Sequence, residues 1–239
     1  PASYVPLAGF PHHALEAYLH KLLSAGYKVA ICEQVEDPKL AKGLVKREVV
    51  EVVTPGTAMA EKFLERGENN FLACVYLQGD RAGPSTSPST SPSTSLRAGL
   101  ALLDNSTGEF FLEELAPRQL AERMLRYRPA EILLAEGQLA EVKPLLGQTE
   151  ALITPYQDWI TEIENATHEL TEHFGTTSLK GFGVEEYPLG ISAAGAIIHY
   201  LYQNSPGAKP HISALRAVQD EQYLGLDSCT VRNMELFQS

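Results

Sequence analysis

The sequence predicts an α/β protein in which a small opening module precedes a larger mixed sheet flanked by helices. Two observations support this fold class. Residues 14–24 place apolar side chains at helical spacing, and two short runs of strand type follow them. Further along, three strand-type runs in succession precede alternating helical and strand-type segments, which is the order typical of a mixed sheet covered by helices.

The opening module, residues 9–57, is predicted to contain one helix, two strands and a charged loop. Pro11 suits the start of the helix and Gly26 suits its end. The predicted strands are residues 27–32 and 49–53, and Thr54-Pro55-Gly56 is a strong turn signal. Between the strands lies a small cluster of basic residues: Lys39, Lys42, Lys46 and Arg47.

The second part of the chain begins with a predicted antiparallel meander of three strands. Its predicted strands are residues 71–77, 99–104, 109–112, 131–135 and 151–155. Its predicted helices are residues 118–126, 139–146, 162–174 and 193–202. In the first of these helices, Leu120, Met124 and Leu125 are expected on one apolar face.

Three tandem copies of Pro-Ser-Thr-Ser occupy residues 84–95. This tract has no apolar side chain to bury, so folding cannot offset the entropy of ordering it. We therefore predict a disordered insertion in a hairpin loop. The alternative is a functional tract that is phosphorylated or glycosylated.

Composition limits the classes of partner. The net charge is −11, and the opening 57 residues hold six basic and six acidic residues, so the acidity lies beyond them. The opening module is therefore the better candidate for contact with DNA. No apolar run approaches the roughly 20 residues needed to span a membrane. Three widely spaced cysteines predict a cytoplasmic protein without a disulfide framework.

Four motifs in the opening module resemble the end of the mismatch-recognition domain of the MutS family of bacterial DNA mismatch-repair proteins. In order they are Gly9-Phe-Pro-His-His-Ala, Val29-Ala-Ile-Cys-Glu-Gln, Lys46-Arg-Glu-Val-Val and Val53-Thr-Pro-Gly-Thr. Their order and spacing make the resemblance specific. It implies that residues 1–57 are the C-terminal part of that domain.

The resemblance continues through most of the chain. It implies a linker at 58–69, a ribonuclease-H-like connector domain at 70–217 and the start of the core domain at 218–239. The matching motifs include Asn70-Phe-Leu-Ala, Leu103-Asp-Asn-Ser-Thr-Gly-Glu-Phe, Arg128-Pro-Ala-Glu-Ile-Leu, Leu179-Lys-Gly-Phe-Gly-Val, Ala193-Ala-Gly-Ala-Ile and Leu226-Asp-Ser-Cys-Thr-Val-Arg-Asn-Met-Glu-Leu.

The family resemblance implies a parent protein that binds mismatched double-stranded DNA as a homodimer and couples recognition to ATP-dependent recruitment of MutL. ATP and Mg²⁺ are implied for the parent alone, because the sequence contains no P-loop string. The family's Phe-x-Glu motif is matched at residues 63–65 and 111–113, both in the wrong place. We therefore expect scaffold and connector, with no catalytic residue, metal or cofactor in this chain.

Candidate contacts to the DNA backbone are His13, Lys42, Lys46 and Arg47. His13 precedes the first helix, where free backbone N–H groups favour phosphate, and the resemblance implies the same role. The three cations could neutralise phosphates. Solvated side chains on a turn and a loop explain these residues equally well.

Asp104 offers an alternative interpretation of the chain. As a strand-end carboxylate it could hold Mg²⁺ in a ribonuclease-H-like nuclease, with Glu109 and Glu131 as companions, or grip a phosphate in a kinase. The simpler interpretation is that it caps the following Asn-Ser-Thr-Gly turn. A third hypothesis is a free-standing interaction module. His168 and His173 are five residues apart, a poor spacing for a metal site on one helix face.

Overall fold

A computed structural model of the chain describes residues 9–36, 43, 45–58, 69–78, 96–206 and 210–218. Within these residues it contains a two-stranded sheet and a six-stranded sheet. Several predicted features lie outside the described residues. They are Lys39 and Lys42, residues 59–68 of the linker, the repeats at 84–95 and the predicted start of the core domain after residue 218.

The opening module has the predicted helix and pair of strands. Helix α1 spans Leu15–Ser24, and strands β1, Val29–Gln34, and β2, Arg47–Val53, pair antiparallel. Leu23 of the helix and Val53 of the second strand form a small buried cluster with Ala58. Gly26, with φ +80°, reverses the chain after the helix, a conformation that favours glycine. The module is thin, and most of its side chains are exposed.

The larger sheet consists of β3 Phe71–Gln78, β4 Arg97–Asp104, β5 Glu109–Leu115, β6 Glu131–Ala135, β7 Leu152–Tyr156 and β8 Arg216–Ala217. It is mixed and has the strand order β7-β6-β3-β4-β5-β8. Strands β3, β4 and β5 form the predicted antiparallel meander, β6 pairs parallel to β3, and β7 pairs parallel to β6. This is the mixed α/β fold that the sequence predicts.

Helices cover both faces of this sheet. On one face lie α2, Leu120–Tyr127, and α3, Leu139–Val142; on the other lie α4, Ile163–Phe174, and α5, Pro188–Asn204. Alternate residues along each strand feed separate apolar clusters on the two faces. Cys74 of β3 belongs to the α5 side, and its neighbour Val75 belongs to the α2 side.

Helix α5 crosses the sheet closely because glycines leave room for it. A Cβ added at Gly99 would lie 2.1 Å from the carbonyl oxygen of Leu189, and one added at Gly195 would lie 2.4 Å from the Cα of Ala166 on α4. The start of α5 is capped by Glu114, whose Oε1 accepts a hydrogen bond of 2.7 Å from the amide of Leu189. A carboxylate there complements the helix dipole.

The predicted apolar face of α2 is wrong at one position. Leu120 and Met124 are buried, but Leu125 is 62% exposed and Arg123 is buried in its place. The Nε of Arg123 lies 3.0 Å from both carboxylate oxygens of Glu113 on β5. A buried guanidinium requires such a partner, and helical periodicity alone does not reveal one on the preceding strand.

In the part of the chain that the structure describes, no helix has both the length and the apolar character needed to cross a membrane.

Candidate functional site at the junction of the two sheets

The turn that follows β2 is the most buried part of the opening module. Thr54, Pro55, Gly56 and Ala58 are all buried, although the strand before them is largely exposed. The turn is closed by hydrogen bonds from the amides of Thr57 and Ala58 to the carbonyl of Thr54, at 3.2 and 3.1 Å. The Thr57 hydroxyl in turn accepts a hydrogen bond of 3.0 Å from the Thr54 amide. The junction turn, residues 54–58, is therefore compact and inserted into the larger domain.

Glu131, the first residue of β6, receives this turn. Its side chain is fully buried, and each carboxylate oxygen accepts two hydrogen bonds. Oε2 accepts from the Thr54 hydroxyl at 2.5 Å and from the Gly56 amide at 3.1 Å. Oε1 accepts from the hydroxyls of Thr154 at 2.6 Å and Tyr200 at 2.8 Å. One carboxylate thus joins the opening module to β7 and α5, and a buried charge needs this degree of hydrogen bonding.

Lys28 approaches the same group from the start of β1. Its Nζ donates a hydrogen bond of 3.2 Å to the Tyr200 hydroxyl and lies 3.6 Å from Oε1 of Glu131. The ammonium also lies 5.5 Å from the centre of the Tyr200 ring. Burial, followed by the nearby Glu131 carboxylate, raises the pKa of Tyr200 well above its usual value, so the phenol stays a donor at neutral pH.

Two asparagines hold the carbonyl groups of the junction turn. The side-chain amide of Asn70 donates to the carbonyls of Pro55 at 2.9 Å and Ala58 at 3.3 Å. That of Asn105 donates to the carbonyl of Thr57 at 3.0 Å. The irregular backbone is buried, and these side chains supply the partners that a regular element would otherwise provide.

Position 56 of the turn has room for glycine but not for a residue with a Cβ atom. A Cβ built there would lie 2.8 Å from the Cβ of Glu131 and 2.8 Å from Cδ1 of Leu72. Contacts this short force neighbouring atoms apart. The Thr-Pro-Gly-Thr motif therefore serves close packing on the larger sheet as well as chain reversal.

The junction brings together residues that sequence analysis did not associate with one another. The sequence places Glu131 in a family motif and makes it a possible metal-binding companion of Asp104, and it predicts a turn at residues 54–56, but nothing in it links the two. One signal could have been used: Glu131 opens an otherwise apolar strand whose pattern is wholly buried. The partners come from four separate segments, and their convergence follows from the tertiary fold.

The residues predicted to contact DNA lie on exposed parts of the opening module. His13 is exposed in the helical turn His12–Ala14, and Arg47 is exposed at the start of β2. Lys46 lies 2.5 Å from the carboxylate of Glu48, which raises the pKa of the lysine. Lys46 and Arg47 are at the end of the β1–β2 pair opposite the junction. Lys42 lies outside the described residues, and the DNA role of all four stays a prediction.

Asp104 caps the turn after β4. Its Oδ1 accepts hydrogen bonds from the amide of Ser106 at 2.9 Å and from the hydroxyl of Ser106 at 2.5 Å, and its Oδ2 accepts from the Asn70 amide at 3.3 Å. Glu109 pairs with Arg216. Among the described residues, no three His, Cys, Asp or Glu side chains are grouped so that they could hold a metal ion. The local contacts agree with the turn-cap interpretation.

The two histidines of α4 that the sequence analysis considers for a metal site have structural contacts. His173 is buried, with ring nitrogens 3.0 Å from the Tyr202 hydroxyl and 3.0 Å from the Ile212 carbonyl. His168 is exposed beside Glu172. Close by in the sequence, Tyr156 is buried on β7 and Trp159 is 45% exposed.

Comparison with known proteins gives a consistent result. A family model described as MutS domain II matches residues 70–213, and one described as MutS domain I matches residues 2–62. The DNA mismatch repair protein MutS of Flavobacterium psychrophilum is 39% identical over 233 residues, covering 98% of this chain and 25% of that protein.

Other relatives give similar values. MutS of Salinibacter ruber is 38% identical over 239 residues, which is 100% of this chain and 25% of that protein. MutS of Parabacteroides distasonis is 40% identical over 233 residues, covering 98% of this chain and 25% of that protein. The chain thus spans about a quarter of the length of these curated relatives.

Proposed function

The chain belongs to the MutS family of DNA mismatch-repair proteins, and we propose that it supplies scaffold and connector to a sensor of mismatched DNA. In this proposal the opening module contacts the DNA duplex. The six-stranded domain transmits the position of that module to the rest of the parent protein. The parent acts as a homodimer and recruits MutL in an ATP-dependent step. The chain itself is not catalytic and works in the cytoplasm.

One observation supports this division of labour more than any other. The junction turn, residues 54–58, is buried in the larger domain and bonded to Glu131, Asn70 and Asn105. A module attached only by a loose linker could not transmit its position, whereas one attached through a satisfied buried network can. The charge distribution agrees, because the opening module is neutral overall and the rest of the chain is acidic.

We assign neither ATP nor Mg²⁺ to residues of this chain. The sequence has no P-loop string, so a nucleotide site would have to be provided by another part of the parent. MutL binding is expected to use the acidic surface of the six-stranded domain rather than the opening module. A purified MutL protein that bound residues 9–58 and not the larger domain would contradict this assignment.

Duplex binding by the 239-residue chain tests the DNA part of the proposal. Fluorescence anisotropy with a mismatched duplex at low salt is expected to detect weak binding that falls as salt rises. Replacing Lys42, Lys46 and Arg47 by Met should reduce the slope of log K against log salt by roughly 0.9 for each phosphate that the variant no longer neutralises. His13→Gln tests the remaining candidate separately.

The matched control is a triple replacement on the larger domain. Arg118, Lys143 and Lys180 are exposed cations there, and changing them to Met removes the same charge. An equal loss of binding in both triple variants would show that net charge, not the opening module, determines affinity. That result would contradict the assignment of DNA binding to the opening module.

The nuclease alternative can be tested directly. Asp104 is buried and holds its own turn and the Asn70 amide, so it has little capacity left for a metal ion. We expect no cleavage of RNA–DNA hybrids or duplex DNA with Mg²⁺ or Mn²⁺. Cleavage that Asp104→Asn abolishes, while the variant remains folded, would replace our proposal with the nuclease function.

A further inference from the structure

The opening module is attached to the larger domain at one end of the β1–β2 ribbon, the antiparallel pair formed by those two strands. Val29 pairs with Val53 at this end, and Gln34 pairs with Arg47 at the other. Lys28 precedes the first strand and the junction turn follows the second, so each strand has its own attachment. At a rise of about 3.4 Å per residue, the ribbon carries its far end roughly 17 Å away.

The two attachments differ in burial. The junction turn is buried and holds direct hydrogen bonds to Glu131, Asn70 and Asn105. Lys28 has a side chain that is 39% exposed; it donates one hydrogen bond to Tyr200, lies 5.5 Å from the centre of that ring and approaches Glu131 at 3.6 Å. Water competes for an exposed cation, so this attachment is weaker than the buried one. The ribbon is thus held by a strong, buried attachment at the junction turn and by a weaker, partly exposed attachment at Lys28.

The space beside the junction leaves room for movement. An open cleft of about 1340 Å³ separates the end of α1, at Ser24–Gly26, from the end of α2 and the start of β7. The module is therefore not packed against the larger domain on that side. On the outer side, Ser205 on the larger domain lies 3.3 Å from Glu51 of the ribbon, and this contact is exposed.

We propose that Lys28 and Tyr200 are positioning residues that set the angle at which the ribbon leaves the larger domain. When the Lys28–Tyr200 hydrogen bond breaks, the ribbon turns about the junction turn, which stays bonded to Glu131. The far end of the ribbon, with Lys46 and Arg47, then moves most. Lys28 and Tyr200 set this angle whether or not the ribbon contacts DNA, so a failure of their positioning role is distinguishable from a failure of the proposed function.

Native cysteines make the angle measurable. Cys32 is exposed on β1, whereas Cys74 is fully buried and has a thiol pKa raised to about 12 by burial, so it resists labelling. Cys229→Ser removes the third cysteine. An exposed turn on the larger domain supplies the second label through Glu185→Cys. Double electron–electron resonance between positions 32 and 185 in the 239-residue chain then reports the distribution of distances.

Lys28→Met is the decisive variant. We expect the width of the distance distribution to increase roughly twofold, because the ribbon then samples more than one angle. Lys21→Met is the matched control, since Lys21 is exposed and lies over the Tyr18 ring within α1. It should leave the distribution unchanged. The midpoint of thermal unfolding should be the same in both variants, which separates positioning from a general loss of stability.

A second variant tests whether the exposed contact between Ser205 and Glu51 holds the ribbon when Lys28 is replaced. Combining Lys28→Met with Ser205→Ala removes the hydrogen bond to Glu51 as well, so that it cannot hold the ribbon alone. A wider distribution in the Lys28→Met chain supports the proposal, as does a wider distribution in the double variant when Ser205→Ala alone leaves it unchanged; the Lys21→Met chain should be unchanged in both cases. A distribution that stays as narrow as in the parent chain in both variants would overturn it.

Discussion

Tyr200, near the end of α5, donates a hydrogen bond of 2.8 Å from its hydroxyl to Oε1 of Glu131 at the start of β6. The opposite oxygen of the same carboxylate binds the Thr54 hydroxyl and the Gly56 amide of the opening module. A helix of the larger domain and a turn of the smaller one therefore share a single buried acceptor. Loss of that acceptor affects both parts of the chain together, because both sets of donors are buried and cannot form hydrogen bonds with solvent instead.

Glu131→Leu should destabilise the chain strongly. It removes the acceptor that four buried donors share, and we expect the free energy of unfolding to fall by about 3 kcal/mol or more. Glu131→Gln should cost about 1 kcal/mol, since its amide oxygen can face the Gly56 N–H while the hydroxyls of Thr154 and Tyr200 accept from its nitrogen. Urea unfolding measures both.

Glu136→Leu is the control for this pair, because Glu136 is exposed in the neighbouring helical turn Glu136–Gln138. It should change the free energy of unfolding by less than about 0.5 kcal/mol. Equal costs for the Leu and Gln variants at position 131 would contradict the role given to its oxygens as acceptors.

Gly56→Ala should destabilise the junction by overpacking. The added methyl would lie 2.8 Å from both the Cβ of Glu131 and Cδ1 of Leu72, and relief requires movement of a buried strand residue. We expect a loss of about 1–3 kcal/mol in the free energy of unfolding. Gly181→Ala is the control, as its Cβ would have no neighbour within 4 Å. A Gly56→Ala chain as stable as the control would show that the turn can accommodate a Cβ at position 56, which would contradict the close packing described above.

Local pattern predicted the elements of this fold better than it predicted the contacts between them. The apolar runs at 71–77 and 131–135 correspond to β3 and β6. A buried strand can be predicted from its length and apolar content, because both are set by residues that are consecutive in the sequence. The convergence of Thr54, Glu131 and Tyr200 could not be predicted in this way, since those residues are separated by 77 and 69 positions. Buried polar networks depend on which elements meet, and single-residue patterns do not encode that.

The buried pair of Arg123 and Glu113 should show strong coupling. Their side chains are 3% and 4% exposed, so removing one partner takes the two-pronged contact away from a charge that stays in the core. Arg123→Met or Glu113→Leu alone should cost about 3–5 kcal/mol of unfolding free energy. The double variant should cost less than either single change, because no buried charge is left.

Arg118→Met is the control for that cycle, since Arg118 is exposed in the turn Pro117–Gln119. It should be neutral within about 0.5 kcal/mol. Costs that simply add in the double variant would mean that the two side chains do not depend on each other for their burial.

Stability should fall in alkaline solution because buried acids keep their protons only in the folded chain. Burial raises the pKa of the Cys74 thiol from 9.0 to about 12, and Tyr156, whose hydroxyl lies 3.4 Å from its sulfur, also has a raised pKa. Below pH 9 both states hold the thiol proton, so the full stability is present. Between pH 9 and 12 the unfolded chain loses that proton first, so unfolding is increasingly favoured.

Cys74→Ala isolates the contribution of the thiol to this pH dependence. The parent chain should lose up to about 1.4 kcal/mol of unfolding free energy per pH unit through Cys74 in this range, and the variant should lack that part of the slope. A cavity left by the missing sulfur would lower stability equally at every pH, so the slope, not the offset, is diagnostic. Urea unfolding at pH 8, 10 and 11 gives the slope, with the exposed Cys32→Ala chain as control. Identical slopes in the Cys74→Ala and Cys32→Ala chains would contradict the raised pKa of the Cys74 thiol, because only the Cys74→Ala variant removes a buried thiol.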